Sequence, residues 1–205
     1  MTPLTDQQYS ITIFFPMYNE KGYIRETIGY AKESLQLMIN NGDIKDYEIL
    51  IIDDGSNDGS ETIANEMQRE DRKIRVIHLP VNTKFTGAIK TGFSNAQKEV
   101  ILYTDMDIPF DLKEIQSAYR MMITENADIV SAYRFHRIGD GLMRAFYSYI
   151  YNLIIRLLFN INLKDFNFAF KLCKKSIFKN INLVSKSGVF ISAEILIKAS
   201  KSGYK

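Results

Sequence analysis

The feature that most limits how this chain can fold is a rhythm of short β-rich runs separated by helical stretches through its first 132 residues. Ile11–Phe15, Tyr47–Ile52, Ile74–Ile77, Val100–Thr104 and Asp128–Ala132 have the length and composition of strands. Between them, Glu20–Ile39, Ser60–Glu70, Thr86–Gln97 and Asp111–Glu125 read as helices; in the first, Ile24, Ile28, Ala31, Leu35 and Met38 recur at helical spacing. Strand–helix alternation requires right-handed crossovers, so the pattern predicts an α/β fold with a mainly parallel central sheet covered by helices. Ligands of such sheets bind beyond the carboxyl ends of the strands.

Past Ala132 the pattern changes. Leu142–Phe159 is a helix candidate dense in aromatic and aliphatic residues, with Arg144, Ser148, Asn152 and Arg156 recurring every four residues as one stripe. From Val130 to Lys205 there are thirteen basic residues against three acidic, a net of +10, which leaves −8 for the first 129 residues. A basic half beside an acidic half points to phosphate groups on a ligand or a membrane surface. Nucleic acid is disfavoured, because the positive residues are interleaved with aliphatic runs and form no stacking platform.

At 205 residues the chain has the length of one domain. Its single cysteine, Cys173, forms no internal disulfide, and no Cys/His cluster has zinc spacing. His78 and His136 lack acids or cysteines at ligand spacing. The polar N-terminus does not resemble a signal peptide, and no apolar run is long enough to span a bilayer. The setting expected is cytoplasmic.

Three strand ends carry the unusual residues: Pro16-Met17-Tyr18-Asn19-Glu20, Asp53-Asp54-Gly55-Ser56-Asn57-Asp58-Gly59 and Asp105-Met106-Asp107. Each alone reads as turn or capping chemistry. Together they would converge on one sheet edge. Asp105 and Asp107 are two apart, so in extended chain their carboxylates point the same way. Two hard oxygen ligands suit Mg²⁺ or Mn²⁺ when a substrate diphosphate and water supply the rest.

In order and spacing these motifs resemble the inverting family 2 glycosyltransferases, whose nucleotide-binding fold is of GT-A type. Ser131-Ala132-Tyr133-Arg134, Leu142-Met143-Arg144 with Ser148 and Asn152, Leu163-Lys164-Asp165 and Ser192-Ala193-Glu194-Ile195-Leu196 are similar to the dolichol- and polyprenyl-phosphate hexosyltransferase subgroup. The resemblance implies one domain over residues 1–205, with residues 11–132 binding the nucleotide sugar and residues 133–205 forming a basic, amphipathic, helical part that faces acceptor and membrane. Pro16, Tyr18, Glu20, Ile52 and one or both of Asp53 and Asp54 would hold the nucleoside of a GDP- or UDP-hexose. Asp105, the Met106 backbone and Asp107 would take the divalent cation and diphosphate. Arg134 would meet a phosphate at the reaction centre, Arg144 and Ser148 would receive the polyprenyl phosphate, and the long helix would lie at the cytoplasmic face of a membrane. The implied activity is metal-dependent hexosyl transfer in cell-envelope glycan synthesis.

Two other readings belong to the same resemblance: transfer to a glycan hydroxyl, for which Asp165 is the acid to consider as base, and a nucleotide-sugar-binding module without turnover. A signalling receiver domain would also place an acid pair after a strand, but needs a lysine and a Thr/Ser at later strand ends and about 120 residues.

The chain departs from the family's pattern in three places. After the third strand the usual glycine-rich stretch reads Asn82-Thr83-Lys84-Phe85-Thr86-Gly87-Ala88 and keeps only Gly87, which is expected to reshape the donor pocket. After Asp165 the usual aromatic–arginine pair is Phe170-Lys171, where lysine keeps the charge without the bidentate fork. The sequence ends at Gly203-Tyr204-Lys205, where relatives continue into a strand and a basic loop, so a C-terminal arm is expected to be lacking.

Overall fold

The computed structural model describes residues 8–107, 111, 113–133, 142–161 and 163–205, excluding the side chains of Leu142, Arg144 and Ala145. Six strands, β1 (Ile11–Met17), β2 (Tyr47–Asp53), β3 (Ile74–His78), β4 (Val100–Thr104), β5 (Ile129–Ser131) and β6 (Phe170–Lys174), form one sheet in the order β3-β2-β1-β4-β6-β5. The first four pair in parallel, and β6 inserts antiparallel between β4 and β5. The mainly parallel sheet expected from the alternation is present. The part beyond residue 133 is not helical throughout, because β6 is one of the sheet's inner strands.

The helices are α1 (Ile24–Asn40), α2 (Ser60–Glu70), α3 (Lys84–Asn95), α4 (Glu114–Thr124), α5 (Leu142–Phe159) and α6 (Gly188–Lys201). Period-2 alternation along the strands divides the core between two faces. Ile11, Ile13, Phe15 and Met17 of β1 pack with α1, α2 and α4 on one side. On the other, Phe14, Leu50, Ile52, Ile101 and Tyr103 meet α3 and α6. Phe14 stacks on Tyr103 at 5.8 Å and meets Phe93 edge-on at 4.9 Å. Gly92 of α3 lies directly over Phe14, where an added Cβ would stand 2.3 Å from the ring. That close approach draws α3 down onto the sheet and sets the height of its N-terminus at the strand ends.

Pro16 lies within β1. The ladder to β4 stops at Phe14↔Tyr103, whereas the ladder to β2 runs on through Pro16↔Ile52 to Met17↔Asp53. The chain therefore parts from β4 just before the Asp105 turn, and space opens between the two strand ends.

Helix α5 packs through Ile155 onto Ala193, Leu196 and Ile197 of α6, together with Phe166. The predicted polar stripe is only partly outward. Asn152 is buried and accepts the Phe166 amide at 3.1 Å, while Arg156 donates to the carbonyls of Leu163 (2.6 Å) and Lys164 (3.0 Å). These two side chains are drawn inward because the loop after α5 leaves backbone groups that need partners. What α5 turns outward is apolar: Met143, Phe146, Tyr147, Leu153, Ile154, Leu157 and Leu158, the last two 74% and 71% exposed. Among the described residues no helix is long and apolar enough to cross a membrane.

Gly92→Ala is expected to destabilise the protein by about 1–3 kcal/mol, since α3 must lift or Phe14 must leave its rotamer; urea unfolding of the two proteins checks this.

Candidate active site

The sheet edge formed by the C-terminal ends of β1, β2 and β4 opens into a cleft of about 420 Å³. Pro16, Met17, Tyr18 and Glu20 line it from β1, Asp54 from β2, and Asp105, Met106 and Asp107 from β4. Asn82 closes it from the β3–α3 connection, and Lys84, Phe85 and Ala88 close it from the first turns of α3. Two grooves are larger: one lies elsewhere, on the basic surface around Lys90 and Lys175, and one adjoins the cleft along α1 and shares Asp107 with it. The 420 Å³ cleft is the one that gathers all three strand-end motifs.

Loop-to-loop hydrogen bonds hold this edge together. The Asp54 amide donates to the Met17 carbonyl at 2.9 Å. The Asn19 amide donates to Ser56 Oγ at 3.0 Å, and Asn19 Oδ1 accepts the Asn57 amide at 2.9 Å. The Glu20 amide donates to buried Ser60 Oγ at 3.0 Å, which itself donates to Asp58 Oδ1. The Ser60 hydroxyl above all, with backbone amides facing Asp58, holds its carboxyl below the usual range against the opposing effect of burial. Asn19 sits at φ +59°, a conformation asparagine tolerates better than most residues.

The adjacent acids of β2 have different fates. Asp53 is buried and does not line the cleft: Oδ1 accepts the Ser56 amide at 3.0 Å, and Oδ2 lies 2.8 Å from His78 Nδ1. The far nitrogen of His78 meets Asn65 Oδ1 at 2.9 Å. His78, unpartnered by sequence spacing, thus acquires an acid partner from the next strand. Asp54 does line the cleft, with Oδ1 accepting both the amide (2.6 Å) and the hydroxyl (2.7 Å) of Thr83. Thr83 folds back over the first turn of α3 into space that a Cβ on Gly87 would occupy, 2.1 Å from Thr83 Oγ1. The one glycine retained in this stretch is therefore the one that the Asp54–Thr83 tie requires.

Just past β4, Met106 turns its side chain into the core, and its carbonyl accepts the Thr27 hydroxyl at 2.6 Å. Asp107 is exposed and Asp105 half-buried. Glu20 is pushed above the usual carboxylate range by burial first, then by the charges of Asp107 and Asp58. Among the described residues no three His, Cys, Asp or Glu side chains converge as a complete metal site. Two carboxylates on one strand end, crowded by further acids, fit a hard divalent cation that takes its remaining ligands from phosphate and water.

Several predicted site residues lie apart from the cleft. Ile52 is buried in the α3-face core. Ser148 is half-buried on α5 and is not a lining residue. Arg134, His136 and the side chain of Arg144 lie outside the described residues. Lys171 is no surface phosphate contact: it is fully enclosed on β6 and donates to the Phe168 carbonyl at 2.5 Å. Burial draws it down to about 8, opposed by the nearby charges of Asp165, Cys173 and Asp105. Asp165 is itself buried, accepts the Asn167 amide at 3.0 Å and does not line the cleft. Cys173 is buried, with its thiol pushed up to about 12. Asn82, Lys84 and Phe85 were visible in the sequence only as a departure from a pattern; the signal that could have found them is topological, since the connection after β3 must emerge at the same sheet edge.

The profile of the family described as Glycosyl transferase family 2 matches residues 12–181. This chain belongs to that family. It is 24% identical over 199 residues to glycosyltransferase AglD of Haloferax volcanii, covering 95% of this chain and 31% of that protein. It is also 24% identical over 200 residues to dodecaprenyl-phosphate galacturonate synthase of Rhizobium johnstonii, covering 96% and 58%. The chain thus spans about a third to three fifths of the length of these relatives. Among solved structures, the fold matches mannosyltransferase PcManGT of Pyrobaculum calidifontis, in complex with GDP-Man and Mn²⁺, with a TM-score of 0.70 at 17% identity, over 98% of this chain and 54% of that one. Glucosyl-3-phosphoglycerate synthase of Mycobacterium tuberculosis, in complex with UDP, matches with a TM-score of 0.69 at 15% identity, over 95% and 66%. The GT-A type fold expected from the motifs is borne out.

Ser60→Ala should cost about 1–2 kcal/mol, because the Glu20 amide and Asp58 lose their shared partner. A carboxyl held low in the folded state stabilises it above its unfolded value near 3.8. That contribution is lost as pH falls through the lower folded value, so the gap between the two proteins should narrow below about pH 4 in a denaturation series.

Proposed function

We propose that the chain transfers a hexose from a GDP- or UDP-sugar to a polyprenyl phosphate, with inversion, at a membrane surface. The observation that carries the donor half is the convergence of Tyr18, Glu20, Asp54, Asp105 and Asp107 on one cleft. In this reading the Tyr18 ring, 47% exposed, offers a stacking face to the base. Glu20 and the second oxygen of Asp54 would accept hydrogen bonds from base or ribose. Asp105 and Asp107 would hold a Mg²⁺ or Mn²⁺ ion, which when bound neutralises charge on the leaving diphosphate. The Met106 carbonyl is engaged by Thr27, and its amide is the backbone group that would meet a phosphate oxygen.

Two observations favour a lipid phosphate as acceptor. The outward apolar stripe of α5 suits the boundary between headgroups and acyl chains, and one relative's name joins a sugar to a dodecaprenyl phosphate. The acceptor chemistry agrees with the site. A phosphate monoester, with its second pKa about 6, is anionic near neutral pH and needs no strong base to attack the sugar carbon. Asp165, the acid that a hydroxyl acceptor would call on, is instead buried outside the cleft. The work left to the chain is positioning and electrostatic stabilisation. Arg134, Arg144 and Ser148 remain the proposed groups for the acceptor phosphate.

Isothermal titration with GDP-mannose, UDP-glucose and UDP-N-acetylglucosamine, with and without Mn²⁺, is expected to show metal-dependent binding of one donor. Asp107→Ala should abolish that metal dependence. Absence of binding by the parent to all three donors would overturn the donor assignment. Leu157→Asp with Leu158→Asp is expected to leave donor titration unchanged and to reduce sedimentation with anionic vesicles severalfold; equal sedimentation would remove the membrane role of α5.

A further inference from the structure

Four non-glycine residues among those described have left-handed backbone, and three are asparagines. The fourth is Lys84, at φ +65°. A long side chain gains nothing locally from this conformation, since it lacks the short polar group that lets asparagine bond its own backbone there. The surroundings nevertheless hold it in place. Its amide donates to Asn82 Oδ1 at 3.0 Å, and the preceding residue, Thr83, is doubly bound to Asp54. Backbone held against its preference in this way gathers at ligand sites.

Lys84 lines the cleft, and it is the sole cationic side chain among the described lining residues, which also include Glu20, Asp54, Asp105 and Asp107. It is exposed, and its ammonium forms no ion pair with any of the described residues. A cleft with four carboxylates and one ammonium repels a polyanion unless positive charge is brought in or already stands there. A tether of four methylenes, started at the first residue of α3, leaves that ammonium able to follow a ligand into the cleft.

Resting on the donor-site reading above, we infer that Lys84 is a diphosphate contact of this chain: its left-handed backbone aims the protein's own cation at the anionic part of the nucleotide, alongside any metal held by Asp105 and Asp107.

The test uses the full chain with GDP and UDP in the presence of Mn²⁺, beside guanosine and uridine. Lys84→Gly relieves the backbone and removes the charge, whereas Lys84→Gln removes the charge alone. Both are expected to weaken binding of the diphosphate that the parent binds by about tenfold, a typical loss for one charge-assisted hydrogen bond. Affinity for the matching nucleoside should not change. Lys84→Gly should also melt no lower than the parent, so its loss of affinity cannot come from unfolding. Unchanged diphosphate binding in both variants, or an equal loss for the nucleoside, would overturn the assignment while the donor site itself stands. A parent that binds neither diphosphate would overturn both readings.

Discussion

The site depends on β1 lying between β2 and β4 in a parallel ladder. Parallel pairing brings the carboxyl ends of all three strands to one edge, so motifs separated by about forty residues of sequence become neighbours without any of them reaching across the molecule. The unequal length of the two ladders does the rest. β1 follows β2 as far as Met17↔Asp53 but leaves β4 at Phe14↔Tyr103, and the gap becomes the cleft. A proline at the point of divergence suits it, because a residue with no N–H loses nothing where one ladder has ended. The close seat of Gly92 on Phe14 then fixes where α3 begins, and with it the wall that carries Thr83, Lys84 and Phe85.

Within that frame the acids divide between internal hydrogen bonds and the cleft. Asp53 and Asp58 are committed to His78, Ser56, Ser60 and Lys21, and one oxygen of Asp54 is committed to Thr83. These contacts satisfy buried or half-buried polar groups, which would otherwise cost more than they contribute. Glu20, Asp105 and Asp107 line the cleft, and Glu20 is shifted upward by burial first and then by the charges of Asp107 and Asp58.

The second half of the chain is built on different terms. β6 threads antiparallel into the sheet and buries Lys171 and Cys173 on the face covered by α6, so a basic residue becomes part of the interior. α5 lies outside α6, with one apolar face spent on Ile155 and its neighbours and another left outward. A helix with two apolar faces is over-supplied for a water-exposed position, and that surplus distinguishes α5 from α1, whose buried residues keep to one stripe.

Sequence by itself determined the elements whose signal is local and repeated. Ser60–Glu70, Val100–Thr104 and Leu142–Phe159 lie within the bounds their periodicity predicts, and the strand-end motifs name the family because their spacing reflects the parallel topology. β6 was not legible. Its residues follow an irregular aromatic run and include lysines, and nothing local says that the strand inserts between β4 and β5 or which of its faces is enclosed. The same holds for the division of labour within Asp53-Asp54. The two are chemically identical neighbours, and the pleat alone sends one toward His78 on β3 and the other toward Thr83 and the cleft. Tertiary structure decided those matters because a side chain's role depends on the partners that other strands bring within about 3 Å, and hydrogen bonding falls away steeply beyond that distance.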